Sequence, residues 1–156
     1  MTLDIGTPAP NFKGRIDSEK YISLSDFKGK MNVVLYFYPK DNSPGCTREA
    51  CKFRDEIEDF QKLDAVVIGV NRAGLDSHKK FIEKRELPFE IISDSDGAIY
   101  RSYDVKGGFI SERVTYIIDK EGIIRGVFNS QMKYLQHPDY AREVLDKISK
   151  DNKEVN

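Results

Sequence analysis

Residues 32–51 read Asn-Val-Val-Leu-Tyr-Phe-Tyr-Pro-Lys-Asp-Asn-Ser-Pro-Gly-Cys-Thr-Arg-Glu-Ala-Cys, and this stretch decides the fold. Its first seven residues, Asn32–Tyr38, are rich in β-branched and aromatic side chains. They form an unbroken run of the kind that a strand buried on both faces requires. Pro39 ends the run, and helical signals begin four residues later. Ser43 suits an N-cap, and Pro44 fits the first helical position, where no backbone donor is needed. Counting on, Cys46 occupies the third helical position, among unpaired backbone N–H groups at the positive end of the helix dipole. That setting favours a thiolate. Ala50, Phe53, Ile57 and Phe60 follow Cys46 at steps of four and three, so the cysteine starts a core-facing stripe on a helix expected from Ser43 to Phe60.

The same alternation continues along the chain. Ala65–Val70 reads as a second buried strand, and a helix follows from about Asp76 to Arg85. Glu90–Ile92 suits a short strand, and Asp96–Tyr103 a short helix. Val114–Ile118 and Ile123–Phe128 flank Asp119-Lys120-Glu121-Gly122, a tight hairpin turn. An amphipathic helix runs from roughly Pro138 to Ser149, and a polar, frayed tail is expected from about residue 150. Strands alternating with helices, closed by a hairpin and a helix, imply an α/β sandwich around a mixed sheet in one domain. In such sheets, sites form where loops leave the carboxyl ends of strands, which directs attention to the loop after Tyr38.

The 156 residues suffice for one continuous core. A net charge of -1 with mixed signs gives no footprint for nucleic acid or an anionic membrane. No apolar run approaches the ~20 residues of a membrane span, and the first residues lack the pattern of a secretory signal. A cytoplasmic protein is the expectation.

Cys46 and Cys51 are the 2 cysteines of the chain, which argues against a structural disulfide framework. The histidines are too distant in sequence to complete a close-spaced zinc site with them. Redox chemistry and inert packing remain, the latter being what most free cysteines do. Five helical residues set two Cα atoms roughly 8–9 Å apart, beyond the ~7 Å limit for a disulfide. Pairing the two thiols therefore requires the first helical turns to unwind.

Tyr36-Phe37-Tyr38-Pro39-Lys40, Ser43-Pro44-Gly45-Cys46-Thr47, Ala50-Cys51 and Phe53-Arg54-Asp55 together resemble the active-site region of peroxiredoxins. The likeness is to the bacterioferritin-comigratory, or Q-type, group, whose second cysteine lies five residues after the first. Agreement extends to Asp76–Phe81, Ser93-Asp94 and Arg113–Asp119. Serine stands at position 43 where threonine is commoner, which retains the hydroxyl. The resemblance implies a thioredoxin-like sandwich, a central mixed β-sheet flanked by helices, with an N-terminal β-hairpin extension around Phe12–Ser23. It implies a thiol-dependent peroxidase acting on hydrogen peroxide and organic hydroperoxides. Cys46 would be the attacking thiolate, and its sulfenic acid would be captured by Cys51 as an intramolecular disulfide. Ser43 and the N–H groups of Gly45 and Cys46 would hold the peroxide, Arg113 would stabilise thiolate and substrate, and Pro39 would shield the sulfur. Tyr38 could line the pocket. Thioredoxin or a glutaredoxin-like protein would reopen the disulfide. No metal, haem or flavin is implied. A monomer is expected, with a weak dimer as the alternative.

Two other functions use the same pair of thiols. A protein thiol–disulfide oxidoreductase would reduce insulin without consuming peroxide, but Cys-x-x-Cys is absent, and no proline stands just before Val114. A redox-switched holdase would protect aggregating clients with negligible peroxide turnover. His78, beside Asp76, Lys79, Lys80 and Glu83, reads as part of a solvated face, and His137 as a loop or helix-start residue. The charges Arg48-Glu49 and Lys52-Arg54-Asp55-Glu56 read as the wet side of their helix.

Overall fold

The computed structural model describes residues 2–107 and 111–155. The apolar run folds as the strand β3 (Asn32–Phe37), every residue of which is buried. Its side chains alternate between two cores. Val34 and Tyr36 join Ala50, Phe53, Phe60, Phe81 and Leu145 on one face. Val33, Leu35 and Phe37 join Phe12, Ile99, Tyr103 and Tyr116 on the other. A central strand with both faces covered has no polar side, which explains its unbroken hydrophobicity.

The sheet has seven strands in the order β2-β1-β5-β4-β3-β6-β7. The hairpin β1 (Lys13–Arg15) and β2 (Tyr21–Ser23) forms one edge, as expected from the N-terminal extension. β4 (Ala65–Asn71) and β5 (Glu90–Ser93) run parallel to the centre. β6 (Val114–Ile118) and β7 (Ile124–Asn129) make the antiparallel hairpin at the other edge. Its turn is built by Asp119, whose Oδ1 accepts from the N–H groups of Glu121 and Ile123, while Gly122 takes φ +83°. That angle lies in the left-handed region that favours glycine.

The helices are α1 (Pro44–Asp55), α2 (Ile57–Lys62), α3 (Leu75–Arg85), α4 (Ala98–Ser102) and α5 (Gln136–Val155). The single helix expected from Ser43 to Phe60 is thus two, broken at Glu56, where φ is -107° and ψ 14°. α5 lays Ala141, Leu145 and Ile148 on the core that α1 also covers. It continues to Val155, through the stretch expected as a polar tail; Asn156 lies outside the described residues.

Candidate active site

The site assembles at the carboxyl end of β3. There, the antiparallel register sets Phe37 opposite Val114, so Arg113 stands just beyond the strand's end, beside the loop into α1. Ser43 is the N-cap of α1 with Pro44 at its first position, which makes Cys46 the third helical residue, as the sequence predicts. The Cys46 side chain is only 1 % exposed. Arg113, 67 residues away in sequence, donates through Nη1 to Cys46 Sγ at 3.5 Å.

Arg113 is held from three sides. Its Nη1 also donates to Glu49 Oε1 at 2.7 Å, and its Nε donates to the Gln131 carbonyl at 3.0 Å. The ring of Tyr134 lies under the guanidinium, 5.7 Å from its carbon. Tyr134 in turn accepts from Arg48 Nη1 at 3.0 Å. Gly45 fits beneath this arrangement because it has no side chain: a Cβ there would meet Tyr134 Cδ1 at 3.1 Å and Arg113 Nη2 at 3.3 Å.

Burial dominates the electrostatics. It raises Glu49 to about 8, more than the neighbouring Arg113 brings back down. Arg113 stays cationic, because burial works against its charge but Glu49 and Cys46 more than offset this. Burial thus favours the neutral form of Glu49, while the guanidinium that touches both Glu49 and the sulfur keeps its charge. His137, with Nδ1 3.7 Å from Glu49 Oε2, is lowered to about 4, first by burial and then by the Arg113 charge. A neutral His137 bridges Thr115 Oγ1 at 2.8 Å and the Ser130 carbonyl at 2.8 Å, tying α5 to β6 and to the segment after β7.

The remaining anticipated residues lie on the segment between β3 and α1 or on α1 itself. Ser43 Oγ donates to the Lys40 carbonyl at 3.0 Å rather than to a helix group. Pro39 is half-buried and borders an open cavity of ≈ 410 Å³ with Lys40, Asp41, Asn71, Arg72 and Ser77. The Tyr38 ring packs in the same core as Cys46, but its hydroxyl is committed to Asp41 Oδ1 at 2.5 Å. Cys51 is partly exposed on α1, and both cysteines are free thiols.

Three residues assigned to solvent or loop lie inside. Glu49 is 0 % exposed, not on the wet face. It follows Cys46 by three and precedes Phe53 by four, so helical periodicity places it in the buried stripe, and only its charge suggested otherwise. His78 is 2 % exposed, where a solvated face was expected. It precedes buried Phe81 by three, which is the signal that places it inward. His137 opens α5 as expected, but is fully buried. Arg48 and Asp55 are exposed, as read, whereas Lys52, Arg54 and Glu56 are partly covered.

A mixed sheet with a buried cysteine in the first turn of a helix, touched by an arginine just before the adjacent strand β6, is the arrangement of a protein that does chemistry with a thiol. Comparison with known proteins names the kind. Residues 5–127 match the AhpC/TSA family model. The chain is 47% identical over 130 residues to peroxiredoxin Bcp of Bacillus subtilis, covering 78% of this chain and 82% of that protein. It is 39% identical over 146 residues to the chloroplastic peroxiredoxin Q of Oryza sativa subsp. japonica, covering 92% of this chain and 67% of that protein. Peroxidoxin BcpB of Mycobacterium tuberculosis superposes with a TM-score of 0.87 at 30% identity, over 92% of this chain and 97% of that one. A cysteine-to-serine mutant of PrxQ from Xylella fastidiosa superposes with a TM-score of 0.83 at 30% identity, over 97% and 99%. The chain belongs to the AhpC/TSA family, among the Q and Bcp peroxiredoxins, with their thioredoxin-like fold. It is a thiol-dependent peroxidase.

Proposed function

We propose that Cys46 is the residue that attacks peroxide and Cys51 the one that resolves it. The supporting observation is the placement of Cys46 Sγ, in the first turn of α1 and 3.5 Å from the Arg113 guanidinium. Helix dipole and cation both favour the thiolate. The thiolate takes the terminal oxygen of hydrogen peroxide or an organic hydroperoxide, breaking the O–O bond. The sulfur is oxidised to sulfenic acid, and the leaving oxyanion gains a proton to become water or alcohol. Arg113 and the first-turn N–H groups of Gly45 and Cys46 receive the charge that develops on the departing oxygen. Ser43 joins them by exchanging the Lys40 carbonyl for a peroxide oxygen, and Pro39 screens the sulfur from water.

The Cys51 thiol then displaces hydroxide from the sulfenic sulfur. This forms a Cys46–Cys51 disulfide and releases water. Both residues sit on one helix, so the step needs α1 to unwind from its first turn. A dithiol protein such as thioredoxin or a glutaredoxin-like protein restores the two thiols by exchange. Among the described residues no helix is long and apolar enough to cross a membrane. We place the enzyme in the cytoplasm, acting as a monomer.

The test is peroxide consumption coupled to a thioredoxin system. Cys46→Ser should abolish all reaction. Cys51→Ser should abolish turnover yet still consume one equivalent of peroxide as sulfenic acid. Steady turnover in Cys46→Ser would overturn the assignment.

A further inference from the structure

Beneath the loop joining β3 to α1 lies a second buried polar cluster that the chemistry above does not use. Asp41 is 6 % exposed, and its carboxylate accepts three hydrogen bonds. Tyr38 Oη donates to Oδ1 at 2.5 Å, and Ser77 Oγ donates to Oδ2 at 2.6 Å. His78 Nδ1 lies 2.7 Å from the same Oδ2. The far nitrogen of His78, Nε2, is 3.3 Å from the Asn71 carbonyl. Asn71 Nδ2 donates back to the Tyr38 carbonyl at 2.7 Å, which closes the ring of contacts. Burial works against the Asp41 charge, but the bonds from His78, Ser77 and Tyr38 more than offset it and hold the carboxylate below its ordinary range.

Position gives this cluster its consequence. Asp41 is two residues before the N-cap of α1, and Asn42 between them turns the chain at φ +66°, a left-handed conformation that asparagine adopts more readily than most non-glycine residues. The cluster therefore nails the start of the reacting helix to α3 and β4, elements that take no part in unwinding. Beside it, the ≈ 410 Å³ cavity bordered by Asp41 and Ser77 offers space for the loop once released.

The geometry points to Asp41 and His78 as positioning residues for the peroxide step: they hold the loop 38–43 closed, and so set the balance between the folded Cys46 pocket and the unwound helix. The inference rests on the assignment of Cys46 and Cys51 above. A two-state segment whose anchor is weakened shifts toward its open form. The pocket that meets peroxide is then populated less, while the unwinding that precedes disulfide formation becomes easier.

Stopped-flow measurement separates the two steps, as peroxide-dependent oxidation of Cys46 and the peroxide-independent formation of the disulfide. In Asp41→Asn and His78→Leu, the first rate constant should fall about ten-fold while the second rises. His78→Asn, whose amide can still donate to Asp41, should recover most of the first rate. Ser77→Ala removes one donor at a part-buried position and should show the same opposed changes on a smaller scale, which keeps the test available if the buried variants fold poorly. Both rate constants unchanged, or both reduced in the same proportion, would overturn the proposal, as would His78→Asn behaving like His78→Leu. Failure of the underlying assignment looks different: oxidation would persist in Cys46→Ser whatever stands at position 41.

Discussion

Glu49 and Arg113 form a buried pair, 2.7 Å apart, in which the same guanidinium nitrogen also reaches the Cys46 sulfur. One cation faces two groups that can each carry a negative charge. Burial raises Glu49 to about 8, so its carboxyl gives up its proton less readily than an ordinary glutamate beside this cation.

Arg113→Lys should keep the charge and lose the geometry. A guanidinium holds Gln131, Glu49 and Cys46 at once through a planar fork, and a single ammonium cannot match those directions. The second-order rate of Cys46 oxidation should fall about 100-fold, the scale for losing a donor to a developing oxyanion. Stopped-flow oxidation by hydrogen peroxide reads this directly, and an unchanged rate would remove Arg113 from the reaction.

Glu49 should make stability depend on pH. Its folded value of about 8 lies above the ordinary 4.5, so its contribution is complete below 4.5 and is lost as pH rises through 8. His137 works the other way: lowered from 6.5 to about 4, it contributes fully above 6.5, and that contribution is lost as pH falls toward 4. Between pH 6.5 and 8, Glu49 is therefore unopposed by His137, and one proton corresponds to a slope of up to about 1.4 kcal/mol per pH unit. With Cys46→Ser in both proteins, Glu49→Gln should flatten the fall. Denaturant unfolding across that window is the measurement; equal slopes would contradict it.

The unwinding of α1 should stop at Lys52. Its ammonium donates to Asp139 Oδ1 at 2.6 Å and to the Leu135 carbonyl at 3.1 Å, fastening the helix to the start of α5 immediately after Cys51. Exchange of backbone amides should then quicken on oxidation over residues 44–51 and stay slow beyond. Lys52→Ala should extend the fast region toward Asp55 with little loss of overall stability, because Lys52 and Asp139 are partly exposed and such pairs contribute roughly 0–1 kcal/mol. Identical exchange in reduced and oxidised protein would count against an intramolecular disulfide.

The strand-loop-helix at residues 32–51 was legible because its causes are local. An apolar run, a serine at the N-cap position and a proline at the first helical position need no distant partner to act. The meeting of Arg113 with Cys46 was not, since it depends on strand pairing that sets Phe37 opposite Val114. Residue resemblance supplied that role where physical reading of one arginine among many could not. Glu49 and His78 read as surface residues for a shared reason: polar side chains in a charged stretch point to solvent, although each sits in register with a buried phenylalanine. No signal marks the break at Glu56. The apolar spacing from Phe53 through Ile57 to Phe60 runs straight across it, and neither glycine nor proline intervenes.

That break has a consequence for aggregation. Helices propagate cooperatively, so a rod continuous from residue 44 to 62 would tend to melt as one length and draw Phe60 out with it. Ending α1 at Asp55 insulates α2, leaving Phe60 sealed against Phe53 and the core while the reacting turns open. If the proposed Cys46–Cys51 step opens these turns, the enzyme would pass through a partly unfolded state while offering neighbours little of the sticky interior that makes such states prone to clump.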